Sequence, residues 1–135
     1  MENPYQTPQA TDQPVSASYK DLTIKEMLFS MDGRIPRNKW WLYSILTNIF
    51  FNIISTIVTV ATISSTGEPS TIGLILTLLM TIPAIWIGIC IHAKRLHDCD
   101  KSGWYMLIPI YGFILTGFIK GTPGQNKYGA NPLGE

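Results

Sequence analysis

The sequence predicts an all-α integral membrane protein with three hydrophobic helical segments in a small bundle, preceded by a short N-terminal interfacial helix. Charged residues make up 14% of the 135-residue chain and hydrophobic ones 46%, against the roughly 25% charge of an average soluble domain. Between Trp40 and Ala93 the only formal charge is Glu68, and Ser102 to Ile119 carries none. Runs of that length without charge place the chain in lipid. The length suits one domain, its core built inside the bilayer rather than by burial from water.

Taken in order, residues 1–19 read as a disordered tail. They hold Pro4, Pro8 and Pro14 among Gln, Thr, Ser and Asn, with too few apolar groups to offset the entropy of ordering. Residues 20–132 form the membrane domain, and 133–135 its end. From Leu22 to Met31 the apolar residues Leu22, Ile24, Met27, Leu28 and Met31 include helical spacings. They predict a short helix lying at the headgroup boundary and ending at Asp32-Gly33.

The first span runs about 40–63, enough at about 1.5 Å per residue to cross a ~30 Å hydrocarbon core. Trp40, Trp41 and Tyr43 mark its entry as interfacial aromatics. Ser64 to Thr71 is a short hairpin. The second span, about 72–91, contains Pro83, which removes one helical hydrogen bond. The third, about 102–121, has an apolar core at Trp104 to Ile119 that covers only about 24 Å as a straight helix. Its aromatic anchors are Trp104 and Tyr105. Three crossings are expected, and Pro109 and Gly112 leave a re-entrant hairpin as the alternative.

Lysine and arginine counts set the orientation. Lys20, Lys25, Arg34, Arg37 and Lys39 precede the first span, none lies in the hairpin, and Lys94, Arg95 and Lys101 follow the second. The positive-inside rule therefore predicts a cytoplasmic N-terminus in a multi-pass membrane protein. Three crossings would put Lys120, Lys127 and the C-terminus outside. No leader of secretory type is expected, because the first apolar run begins only at Trp40.

Within the spans, Ser44, Asn48, Asn52, Ser55 and Thr59 recur at helical intervals, and Gly73, Thr77, Thr81, Ala84 and Gly88 form a small-residue stripe. The two stripes suit helix–helix packing, within one chain or between copies. Asn48 and Asn52 also allow a small oligomeric channel or carrier. No ionisable residue is expected at membrane depth to drive proton or ion coupling.

Three polar clusters flank the spans: Gly33-Arg34-Ile35-Pro36-Arg37-Asn38-Lys39-Trp40-Trp41, Lys94-Arg95-Leu96-His97-Asp98-Cys99-Asp100-Lys101-Ser102-Gly103-Trp104, and Pro123-Gly124-Gln125-Asn126-Lys127-Tyr128-Gly129. Together they resemble the DUF805 family of small bacterial inner-membrane proteins, over about Phe29 to Pro132. The family pattern is G-R-x-x-R with an aromatic and Trp, then R-R-L-H-D with S-G-W-W, then P-G-x-N-R-[YF]-G. Here Lys94, Tyr105 and Lys127 replace an Arg, a Trp and an Arg. Lysine keeps charge but not a bidentate contact. The resemblance implies a membrane protein of unknown molecular activity.

Extending the second helix past Ile91 aligns His92, Arg95 and Asp98, so that Arg95 and Asp98 pair, with Arg34 and Arg37 sharing the same carboxylate. Such an ion-pair clamp would fix the first span against the second. Alternatively Arg34, Arg37, Lys39, Lys94, Arg95 and Lys101 form a basic collar for anionic headgroups. His97 beside Asp98 invites a catalytic or metal reading. Neighbours on a helix do not face each other, however, and His92, Cys99 and Asp100 do not complete a ligand set. No hydrolase, metalloprotease or phosphate-loop motif is present. No metal, cofactor or nucleic-acid partner is expected, and the net charge of +1 gives no basic field. The expected function is non-enzymatic: binding of a partner membrane protein, a second copy or anionic lipid through Gly33, Arg34, Arg37, Arg95, His97 and Asp98.

Overall fold

The computed structural model describes residues 21–64 and 67–134. Among these it is helical, with isolated bridges at Ile63–Pro69 and Asn126–Gly129 in place of strands. Helix α1 is Ile24–Phe29, α2 Arg37–Ala61, α3 Thr71–Asp98 and α4 Pro109–Gly117, with a 3₁₀ turn at Gly103–Leu107 before α4. The predicted tail, residues 1–19, lies outside the described residues.

Helix α1 starts at a capping box: the Thr23 side chain accepts from the Glu26 amide while the Glu26 carboxylate accepts from Thr23. It is shorter than the expected Leu22–Met31, and it does not turn its whole apolar face outward. Met27 packs into a core with Ile35, Trp40, Ile87 and Ile91, whereas Ile24 and Phe29 stay exposed. The last turn is closed from another helix, by Lys94 Nζ donating to the carbonyls of Met27 and Ser30.

Helices α2 and α3 are the two long apolar ones, each able to cross a membrane. They pack against one another and leave most of their large side chains, such as Ile53, Ile57, Leu78 and Ile82, open to the surroundings. That is the arrangement expected where lipid, not protein, is the solvent. Ser44, Ser55 and Thr59 of the polar stripe turn partly inward, as do Thr77, Ala84 and Gly88, and Gly73 is buried. Thr81 departs from its stripe: it is exposed and donates to Leu78 O of its own helix.

The third hydrophobic segment is not the continuous helix expected over 102–121. Pro109 lacks an amide hydrogen and occupies the first turn of α4, so the segment breaks there into the 3₁₀ turn and a nine-residue helix. Gly112 lets the two halves touch: a Cβ there would sit 2.8 Å from Tyr105 O. The chain then comes back to the end where α3 finishes. Trp41 Nε1 donates to Gly117 O at 3.3 Å, and the Thr122 amide to Asp98 O at 2.8 Å.

Candidate functional site

Helix α3 ends in a Schellman-type turn, with the Asp100 amide bonded to His97 O, the Lys101 amide to Leu96 O, and Asp100 at φ 56°. This leaves Arg95 and Asp98 on one face, three residues apart. Arg95 Nη1 pairs with Asp98 Oδ2, and Arg34 Nε reaches Asp98 Oδ1 at 3.1 Å. The three side chains are almost fully buried, at 0%, 2% and 3% exposure for Arg95, Arg34 and Asp98.

Burying two guanidinium groups with one carboxylate leaves most of their N–H groups seeking acceptors, and the returning chain supplies them. Arg34 donates to the carbonyls of Thr122 at 2.7 Å, Gly124 at 2.9 Å and Gly129 at 3.1 Å. Arg95 donates to Thr116 O at 2.9 Å and to Ile119 O. Neither cation is free to meet a ligand: each is spent on the fold. Charge-assisted bonds of this kind are the strong ones, and the planar fork of arginine is what reaches several carbonyls at once.

Gly121 is needed for the close approach, because a Cβ there would fall 2.1 Å from Asp98 Oδ2. The Asn126 amide group donates to His97 O at 2.9 Å and to Thr122 Oγ1 at 3.0 Å, and Asn126 and Gly129 exchange backbone bonds in a tight turn. Tyr128 stacks flat on His97, centroids 3.8 Å apart, while Lys127 lies 5.1 Å from the Tyr128 ring centre and 4.0 Å from Asp100 Oδ1. Pro123 and Gly124 thus belong to a loop that the clamp holds against α3.

Several expectations need correction here. Arg37 does not share Asp98: it is exposed and donates to Phe118 O at 3.1 Å. Arg34, Lys94 and Arg95 are too deeply buried to belong to a headgroup-facing collar. Trp40 is 2% exposed and packs edge-on against Trp41 and His92, so it is a core residue and not an interfacial anchor. Trp104, at 77% exposure, keeps the exposed position expected of an anchor, and Tyr105 is also exposed. His97 and Asp98 turn to different partners, as neighbours on a helix do. Asn48 and Asn52 donate back to Ser44 O and Asn48 O of their own helix rather than across to α3. A notch of about 90 Å³ beside Asn48, lined also by Ser44, Gly88 and His92, does not reach Asn52.

Thr116, Gly121 and Thr122 lie outside the three polar motifs, though they complete the clamp. The residues contribute mainly backbone atoms or the lack of a Cβ, and neither leaves a side-chain signature. Among the described residues no group of three or more His, Cys, Asp or Glu is placed to hold a metal. Beside the clamp, Cys99 points to Leu115 O and Lys120 O, and burial pushes its thiol above the ordinary range, partly offset by Arg95.

Next to this closed cluster lies an open cleft of about 510 Å³ bordered by Pro36, Arg37, Asn38, Asp98, Lys120, Gly121, Pro123, Asn131 and Leu133. In it Arg37 and Lys120 present exposed cations.

Two apolar helices long enough to cross a membrane are thus joined to a charged, carbonyl-satisfied end. The chain belongs to the DUF805 family, described as proteins of unknown function, whose model matches residues 28–130. Among relatives, the inner membrane protein YhaH of Escherichia coli (strain K12) is 27% identical over 106 residues, covering 74% of this chain and 84% of the relative. The inner membrane protein YhaI of the same organism is 28% identical over 117 residues, covering 82% and 92%. No solved structure matches the chain. Family membership and the two long helices make this an inner-membrane protein.

Proposed function

We propose that the chain is a two-span inner-membrane protein whose last hydrophobic segment re-enters, so that both of its flanks are cytoplasmic, and that it works without catalysis by binding at that charged face. The observation that carries this reading is Arg34: one buried guanidinium joins Asp98 at the end of α3 to three carbonyls between Thr122 and Gly129. A third full crossing would pull those groups apart by the thickness of the bilayer. The basic residues agree, because with a re-entrant segment all ten lysines and arginines fall on one side.

The engagement of both Asp98 oxygens by arginines and the stacking of His97 beneath Tyr128 favour binding over chemistry. What remains accessible at this end is the cleft with Arg37 and Lys120. Paired fusions after Glu135, one reporter active only in the cytoplasm and one only outside, test the topology. Activity of the cytoplasmic reporter is expected, and activity of the external one overturns the reading.

A further inference from the structure

We propose that the cleft between Arg37 and Lys120 is a binding site for the phosphodiester headgroup of an anionic phospholipid of the same leaflet. The inference rests on the topology proposed above and names the ligand of that face. It starts from an imbalance of charge at the boundary. Arg34 and Arg95 are paired with Asp98, Lys39 with Asp21, and Lys127 with Asp100. Among the described residues, Lys25, Arg37, Lys94, Lys101 and Lys120 are in no ion pair, and of these only Arg37 and Lys120 line the cleft. Arg37 is already oriented, since its Nη1 is held by Phe118 O, two residues before Lys120. Asp98 also borders the cleft, but both its oxygens are engaged by arginines.

The shape and surroundings suit a lipid more than a free anion. The cleft, about 510 Å³, falls in the range of small-molecule pockets. Its wall includes Leu133, 59% exposed, and Phe118 and Ile119, also exposed, directly precede Lys120. A ligand with a phosphate for the two cations and acyl chains for the apolar rim satisfies both surfaces. Asn38 adds a polar side chain for the glycerol or headgroup hydroxyls.

The test is native mass spectrometry of the full-length protein released from detergent, titrated with phosphatidylglycerol, phosphatidylcholine or inorganic phosphate. Phosphatidylglycerol is expected to be retained in preference to phosphatidylcholine. Lys120→Gln, which removes a side chain with no fold partner, is expected to weaken phosphatidylglycerol retention about fivefold, from the ~1 kcal/mol typical of one basic residue near an anionic surface. Arg37→Gln is expected to weaken it at least as much, while Lys25→Gln, an equal loss of charge on exposed α1, leaves it unchanged. Equal retention of the two lipids, or no change in Lys120→Gln, overturns the proposal. Displacement of the lipid by millimolar inorganic phosphate also overturns it, identifying a free anion as the ligand. Because the reporter fusions read topology independently, a cytoplasmic C-terminus with no lipid selectivity would sink only this inference.

Discussion

The two ends of the α2–α3 pair are built on opposite principles. Towards the hairpin, two helices alone face each other, and large apolar side chains such as Ile57, Val60 and Leu78 are more than 60% exposed. At the other end α1, the 3₁₀ turn, α4 and the C-terminal loop gather around charged residues buried as deeply as Ile35 or Leu96. The contrast shows where protein-protein interactions must supply stability. In the lipid-facing half the surroundings accept exposed apolar groups, and backbone groups are satisfied within the helices. At the charged half an irregular, returning chain exposes carbonyls that need donors, and buried arginines provide them.

The sharpest way to break this contrast is to remove the shared carboxylate. Asp98→Ala leaves Arg34 and Arg95 buried without a counter-charge and is expected to cost about 3–5 kcal/mol, read as a large fall in thermal unfolding temperature in detergent. A variant as stable as the parent would show that the cluster is not a structural clamp. Next in size, Gly121→Ala drives a Cβ into Asp98 and is expected to cost about 1–3 kcal/mol, with the C-terminal loop becoming more sensitive to protease than in the parent.

A smaller effect comes from pH. The raised Cys99 thiol means that the folded protein holds its proton to higher pH than the unfolded chain does. Stability from this group is therefore full below the ordinary thiol range, near pH ~8.5, and is lost as pH climbs through it towards the raised folded value. Unfolding followed from pH 7 to 10 should show this decline, and Cys99→Ala should lessen it. The smallest effect is expected in the lipid-facing half. Gly88→Ala meets nothing within 4 Å and should leave the unfolding temperature essentially unchanged, whereas a drop like that of Gly121→Ala would mean the α2–α3 interface is tighter than drawn.

How much of this was legible beforehand differs by residue. Arg95 and Asp98 pair as their helical spacing predicts, because α3 runs through Ile91 to Asp98 without a break. Arg34 was visible as a partner for Asp98, and its neighbour Arg37 was not separable from it by sequence. The two lie only three residues apart, but Arg34 sits in the extended lead before α2 and turns inward, whereas Arg37 begins the helix and turns out. Lys94 reads as one more surface cation, yet it caps α1 from 64 residues away in the chain.

By itself the sequence determined the lipid-embedded class, the two long helices and the three polar motifs, since absence of charge and helical periodicity are local properties of the chain. The tertiary structure alone decided that the last hydrophobic segment turns back, that Trp40 is core and that half of the collar, Arg34, Lys94 and Arg95, is internal. Those outcomes depend on which distant carbonyls a buried guanidinium can reach. Backbone acceptors such as Thr116 O, Thr122 O and Gly124 O are present in every residue and become specific only when the fold brings them within about 3 Å of a donor.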